Sequence, residues 1–140
     1  MSETIKKILV PLDGSEESFK ALDRALILAG FTNAEVTALH VIPHVQEGGP
    51  RTSRFDKEIV LQGKVILEKA IKRSKKRDGK LKTKLVRGSP SIETIKTAKN
   101  GNFDHIVMST TGAGSAEGEM LGSVSNFVVH KSKIPVYLIK

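Results

Sequence analysis

Five short runs rich in β-branched and other apolar residues punctuate the chain, and segments of helical period fill the gaps. The runs are Ile8–Leu12, Val36–Ile42, Leu81–Val86, His105–Met108 and Ile134–Ile139. Runs that are apolar on both faces suit strands of a parallel sheet covered on both sides. Strand and helix alternate four times and a strand closes the series, the pattern of an α/β domain. The expected fold is a doubly wound, five-stranded parallel sheet with helices on both faces. A length of 140 residues suits one domain over 1–140.

The punctuation between runs supports this reading. Asp13-Gly14-Ser15 is a turn signal, with Ser15 placed as N-cap and Glu16 and Glu17 at the positive end of a helix dipole. Phe19, Leu22, Leu26 and Ala29 recur at helical spacing, and Gly30 is expected to stop that helix. Pro43–Asp56 has no apolar period and reads as a loop or partly ordered excursion. A long helix is expected from Phe55, with Phe55, Ile59, Ile66 and Ala70 on one face, Val60 and Leu67 beside it, and Asp78-Gly79 at its end. Ser89 as N-cap, Pro90 at the first helical position and Glu93 in the first turn predict a third helix. Ile92, Ile95 and Ala98 are its expected inner face. A fourth helix runs through Val124, Phe127 and Val128.

Composition narrows the classes. The chain lacks cysteine, which excludes disulfides and thiolate metal sites. No apolar run approaches the ~20 residues of a spanning helix, and Met1–Lys7 has no signal-peptide core. A soluble cytoplasmic protein is the simplest expectation. The net charge of +8 attracts anions, and Lys72, Arg73, Lys75, Lys76, Arg77, Lys80, Lys82, Lys84 and Arg87 concentrate it in one stretch. A solvated helix face accounts for such a stretch. Aromatics make up only 4%, which argues against a single-strand nucleic-acid binder with its stacking platforms.

Chemistry concentrates after the fourth run. Ser109-Thr110-Thr111-Gly112-Ala113-Gly114-Ser115 leaves a strand, and Gly122-Ser123-Val124-Ser125 opens a helix. Glycines admit close approach of an anion, successive N–H groups form a nest, and a helix N-terminus adds free donors. No Gly-Lys-Ser/Thr is present, so this is not a P-loop, and the position after the fourth strand does not match a dinucleotide fingerprint. The residues alone leave a flexible surface loop with a serine N-cap as the alternative. His40, His44, His105 and His130 show no metal spacing, and Glu117 and Glu119 read as solvated loop charge. No nucleophile sits beside a base, so slow nucleotide hydrolysis is the most activity expected.

Three motifs carry a resemblance over essentially the whole chain. Ile8-Leu9-Val10-Pro11-Leu12-Asp13-Gly14-Ser15, Gly88-Ser89-Pro90, and Met108 through Gly122-Ser123-Val124-Ser125 to Ile134-Pro135-Val136 resemble the opening strand, the Gly-x-Pro turn and the C-terminal signature of universal stress proteins. The implied fold is Rossmann-like, of the adenine nucleotide alpha hydrolase type. Nucleotide-binding members carry Gly, two residues, Gly, nine residues, then Gly-Ser or Gly-Thr. Here the glycines fall on Gly112 and Gly122, while Ser109 replaces the first.

The resemblance implies that Pro11, Leu12 and Asp13 line the adenine and ribose pocket and that Val41 packs on the adenine. It implies that Gly112–Ser115 wraps the phosphates of ATP, with Ser109, Thr110, Thr111 and Gly122 in the same binding site, Ser123, Val124 and Ser125 at the helix start, and Mg²⁺ or Mn²⁺ as a companion ion. An Asx-turn is the rival role for Asp13. The implied function is a nucleotide-dependent stress-response sensor or switch, homodimeric through the last strand. The alternatives are a member that binds no nucleotide and works through protein partners, and a basic nucleic-acid-associated protein.

Overall fold

A computed structural model describes residues 4–44, 50–77, 80–111 and 121–140, with the backbone alone for 50–53. The elements are β1 (Lys7–Pro11), α1 (Glu16–Thr32), β2 (Glu35–Ile42), α2 (Pro50–Lys75), β3 (Leu81–Arg87), α3 (Pro90–Asn100), β4 (His105–Ser109), α4 (Ser123–Lys131) and β5 (Val136–Ile139). All strand pairings are parallel, in the order β3-β2-β1-β4-β5. The expected five-stranded parallel sheet is the observed one.

Alternation along the strands builds two core layers. Ile8, Val10, Val36 and Val107 face α1 and α2, meeting Phe19, Leu22, Leu26, Leu67 and Ala70. Leu9, Leu39, Val41, Ile106 and Met108 face the other side and meet Ala98, Phe103 and Val128. Ile8, Leu9, Leu22 and Ile106 are fully buried, and each such side chain contributes about 1.5–3 kcal/mol relative to exposure. Both faces of β1 are buried, which explains its unbroken apolar run.

The caps are partly as the sequence predicts. Ser15 accepts from the Ser18 N–H and starts α1. Gly30 does not stop that helix. It lies inside it, and Asn33, in the left-handed region at φ 59°, forms the cap by donating its N–H to the Ala29 carbonyl. Asn tolerates that conformation through its short polar side chain. Ser89 makes no side-chain cap bond, but Pro90 does open α3. Gly88 is required before it: at φ 146° its missing Cβ would lie 2.6 Å from Glu93 Cγ.

Four other expectations are corrected. α2 begins at Pro50, so the last part of the expected loop is helical; proline at a first helical position supplies the start. The helix closes at Lys75, before Asp78-Gly79, which lies outside the described residues. Phe55 is 58% exposed and does not belong to the buried face, which runs through Gly63, Leu67, Ala70 and Ser74. In α3, Ile92 is exposed, and the inner face is Thr94, Thr97 and Ala98, with Ile95 packed beside them. Thr94 can be buried because its hydroxyl donates to the Pro90 carbonyl at 2.6 Å.

The central seam positions the site. β1 and β4 pair only at Ile8 with His105 and Leu9 with Ile106. Below that point the seam is fastened: one Asp104 carboxylate oxygen accepts from the Lys6 and Lys7 N–H groups, each at 2.7 Å. The Lys7 ammonium lies 4.7 Å over the Phe103 ring and donates to the Gly101 carbonyl. Above Leu9, Pro11 has no N–H to offer, while β1 stays paired with β2 over its whole length and the Leu12 N–H donates to the Leu39 carbonyl. The β1–β4 ladder therefore stops short of the strands' carboxyl ends, at the point where the strand order reverses.

Candidate functional site

A cavity of about 320 Å³ opens at that end of the seam. Ligands of open α/β sheets bind at such a switch point. Its apolar wall is Pro11, Leu12, Leu39, Val41 and Met108, and its polar edge is Asp13, Ser109, Thr111, Ser123 and Ser125. An apolar slot with a few convergent polar groups suits a flat, partly polar ligand.

Three helix N-termini converge on this cavity. Ser18 comes from the first turn of α1, Pro90 and Thr94 from the start of α3, and Ser123, Val124 and Ser125 from the first turn of α4. Each helix start carries partial positive charge and N–H groups without intrahelical acceptors. Asp13 is the one carboxylate among the described lining residues. The electrostatics therefore favour an anion toward α4, leaving Asp13 to accept from hydroxyl groups.

Local bonding fixes each part. One oxygen of Asp13 accepts from the Ser15 N–H at 2.9 Å and from the Ser15 hydroxyl at 2.5 Å, an Asx-turn that aims the carboxylate. The Asx-turn and a place on the cavity wall coincide in this residue. Gly14, at φ 90°, allows the turn to pass close to α2, where a Cβ would lie 2.9 Å from Ile66 Cδ1. At the other rim a single carbonyl gathers two donors. The Thr110 carbonyl accepts from the Gly122 N–H at 2.7 Å and from the Ser125 hydroxyl at 2.6 Å. The start of α4 is thereby held against the end of β4.

The structure brings together Pro11, Leu12, Asp13, Val41, Ser109, Thr111, Gly122, Ser123, Val124 and Ser125 around this space. Thr110 does not line it; its carbonyl serves the rim instead, and its N–H donates to Ile139. Gly112, Ala113, Gly114 and Ser115, together with Glu117 and Glu119, lie outside the described residues. Ser109 fits its position without glycine's freedom. It is the last residue of β4, its φ is not positive, and its hydroxyl donates to the Thr111 carbonyl.

Sequence reasoning missed Ser18, Leu39, His40, Pro90, Thr94 and Met108. His40 reads as an isolated histidine in sequence. In space its Nδ1 lies 2.7 Å from the Leu12 carbonyl. A carbonyl only accepts, so Nδ1 carries the proton, and the ring ties β2 to the turn that presents Asp13. The available signal was its position on the second strand, next to Val41. Among the described residues no group of three or more His, Asp or Glu could hold a metal ion, and no helix is long and apolar enough to cross a membrane.

Comparison with known proteins gives a consistent result. The model of the universal stress protein family matches residues 4–140. Universal stress protein MJ0531 of Methanocaldococcus jannaschii is 32% identical over 96% of this chain and 82% of its own length. Universal stress protein UspA from Lactobacillus plantarum superposes with a TM-score of 0.86 at 26% identity, covering 99% of this chain and 100% of that one. A universal stress protein from Archaeoglobus fulgidus, solved in complex with dAMP, superposes with a TM-score of 0.73 at 22% identity over 100% of both chains.

Proposed function

The chain belongs to the universal stress protein family, and on that premise we propose that it binds an adenine nucleotide in the cavity at the β1–β4 seam and acts as a stress-response sensor or switch. The observation that carries the reading is the convergence of three helix N-termini on one cavity with apolar walls. The walls suit a purine, Asp13 suits a ribose hydroxyl, and the start of α4 suits phosphate. The dAMP complex of the Archaeoglobus relative accords with this ligand class.

ATP is the proposed ligand. Pro11, Leu12 and Val41 hold the base, Asp13 the ribose, and Ser109, Thr111 and Gly112–Ser115 with Gly122–Ser125 the phosphates. Mg²⁺ or Mn²⁺ travels with the phosphates, with Asp13 as the one described lining carboxylate that faces the same space. Asp13 would serve either the ribose hydroxyls or that ion, and in the second case the ion's remaining ligands would be phosphate oxygens and water. A cytoplasmic homodimer joined along β5 completes the proposal, since β5 is an edge strand with Tyr137 41% exposed.

Ser109 in place of the first motif glycine is what favours the second reading, a member without nucleotide that works through protein partners. The strain-free backbone at Ser109 weighs against it. Mass spectrometry of undialysed protein and calorimetry with ATP and Mg²⁺ decide between the two. A co-purifying adenine nucleotide with saturable ATP binding is expected. A folded protein that binds neither ATP nor AMP would leave the partner-binding reading standing.

A further inference from the structure

Nine of the chain's 23 Lys and Arg, and one of its 15 Asp and Glu, lie between Lys72 and Arg87. That segment carries +8, the whole net charge; the rest of the chain holds 14 residues of each sign and balances. In the fold the segment is the end of α2, the connection after it and all of β3, which is an outer strand of the sheet. Among the described residues β3 pairs with β2 alone, so alternate N–H and C=O groups along its other side have no ladder partner there.

The charges are arranged along this edge. Leu81 and Leu85 pack into the layer beneath α2, so Lys82 and Lys84 project from the opposite face, with Lys80 in line just before the strand. Alternate residues of a strand repeat at about 6.6 Å. On that face α3 packs on α4 and β2 and leaves β3 largely uncovered, and the Lys82 side chain is 69% exposed. Three cations of the segment are matched: Arg73 by Glu16 and Asp23, Lys82 by Glu35, and Arg87 by Asp56. Lys72, Lys75, Lys76, Arg77, Lys80 and Lys84 enter no ion pair among the described residues.

We propose that the outer edge of β3, with the adjoining end of α2, takes up an acidic extended segment of a partner protein as an added sixth strand. Main-chain bonds to β3 supply the attachment, and acidic side chains at every second position meet Lys80, Lys82 and Lys84. Edge lysines repel the same edge of a second copy, and the same charges select an acidic strand from other strands. Protecting an edge takes a lysine or two; the unpaired cations at the end of α2 exceed that need and extend the basic surface past the strand. A nucleic acid fits less well. The segment from Lys72 to Arg87 has no aromatic residue for stacking, and a nucleic acid leaves the free ladder groups unused.

The test uses the whole protein and a fluorescent peptide of about ten residues alternating Glu and Thr, the length of a long strand. Fluorescence anisotropy is read for wild type, for Lys80→Glu with Lys84→Glu, and for a control of equal charge change, Lys20→Glu with Lys131→Glu. The edge variant should lose roughly tenfold in affinity, the effect of turning two exposed attractions into repulsions, while the control holds. The same peptide N-methylated at alternate amides should bind roughly tenfold more weakly, since it cannot complete the ladder. Amide signals of Lys82–Val86 should shift on binding of the unmodified peptide. Circular dichroism checks folding, and Lys84→Glu alone, which breaks no ion pair, serves if the double variant unfolds. No binding by wild type, an equal loss in the control, or equal affinity for the N-methylated peptide overturns the proposal. So does tighter binding of a single-stranded oligonucleotide that displaces the peptide.

Discussion

Gly30→Ala and Gly63→Ala make the same change inside two helices, and the structure predicts shifts of stability in opposite directions. Alanine in place of glycine within a helix stabilises by about 0.5–1 kcal/mol through backbone entropy. At Gly30 nothing lies within 4 Å of the added Cβ, and the position is exposed. That substitution should stabilise by the full propensity gain. At Gly63 the added Cβ would lie 2.9 Å from Leu85 Cδ1, 3.1 Å from His40 Cδ2 and 3.2 Å from Ile42 Cγ2. The Leu85 end can rotate away. The His40 ring cannot move freely, because the Leu12 carbonyl holds it at 2.7 Å, and Ile42 is β-branched. Overpacking of this kind costs about 1–3 kcal/mol, and with two stiff neighbours the upper part applies, leaving a net loss of about 1–2 kcal/mol. Urea unfolding followed by circular dichroism measures both. In a thermal scan each kcal/mol should appear as about 2–4 °C. If both variants move the midpoint the same way, the close seating of α2 on β2 and β3 is wrong.

Three further outcomes follow from the site and the assembly. Gly122→Val should abolish ATP binding in calorimetry, because a branched side chain would stand where the start of α4 meets phosphate, while Ser109→Gly should bind ATP as wild type or better; a folded Gly122→Val protein with wild-type affinity would move the site elsewhere. Neutralising Lys75, Lys76 and Arg77 should leave ATP affinity within about twofold at physiological salt, since they lie at the end of the sheet away from the cavity and exposed charges are screened over ~8 Å. Light scattering at high concentration should give a dimer, and Tyr137→Glu on the exposed part of β5 should shift it toward monomer; a monomeric wild type would remove β5 as an interface.

Much of the frame was legible because its signals are local. Asp13, Gly14 and Ser15 act on one another within a single turn, and Ser89-Pro90 acts on the first turn of α3, so sequence neighbours suffice. The misreadings arose where the deciding neighbour is distant. Phe55 has the right period for the inner face of α2. However, a helix of 26 residues spans about 39 Å, while the eight residues of β2 beneath it span about 26 Å. The first turns of α2 therefore outrun the sheet, and the Asp56–Arg87 ion pair marks where β3 ends. In α3, Ile92 looks like core and Thr94 does not, yet the hydroxyl of Thr94 is consumed by a carbonyl of its own helix. Of the cavity, the residues on the glycine- and serine-rich turns were readable from chemistry. Leu39, His40 and Met108 were not, because their place depends on which strands become neighbours.

The one-sided fastening of β1 to β4 gives the sheet the mechanics of a peg. The clasp is Asp104 with Lys6 and Lys7, and the opening is the cavity. A molecule reaching from Asp13 to Ser123 would bridge two halves of the sheet that share few backbone bonds at that end. Its effect would be added stiffness across the opening, with secondary structure unchanged. Hydrogen exchange reads this directly: amides of Val107–Ser109 should slow when nucleotide is added, while those of Lys6 and Lys7 at the clasp should keep their rates. Equal slowing at both ends would mean that the seam tightens as a whole and has no opening to close.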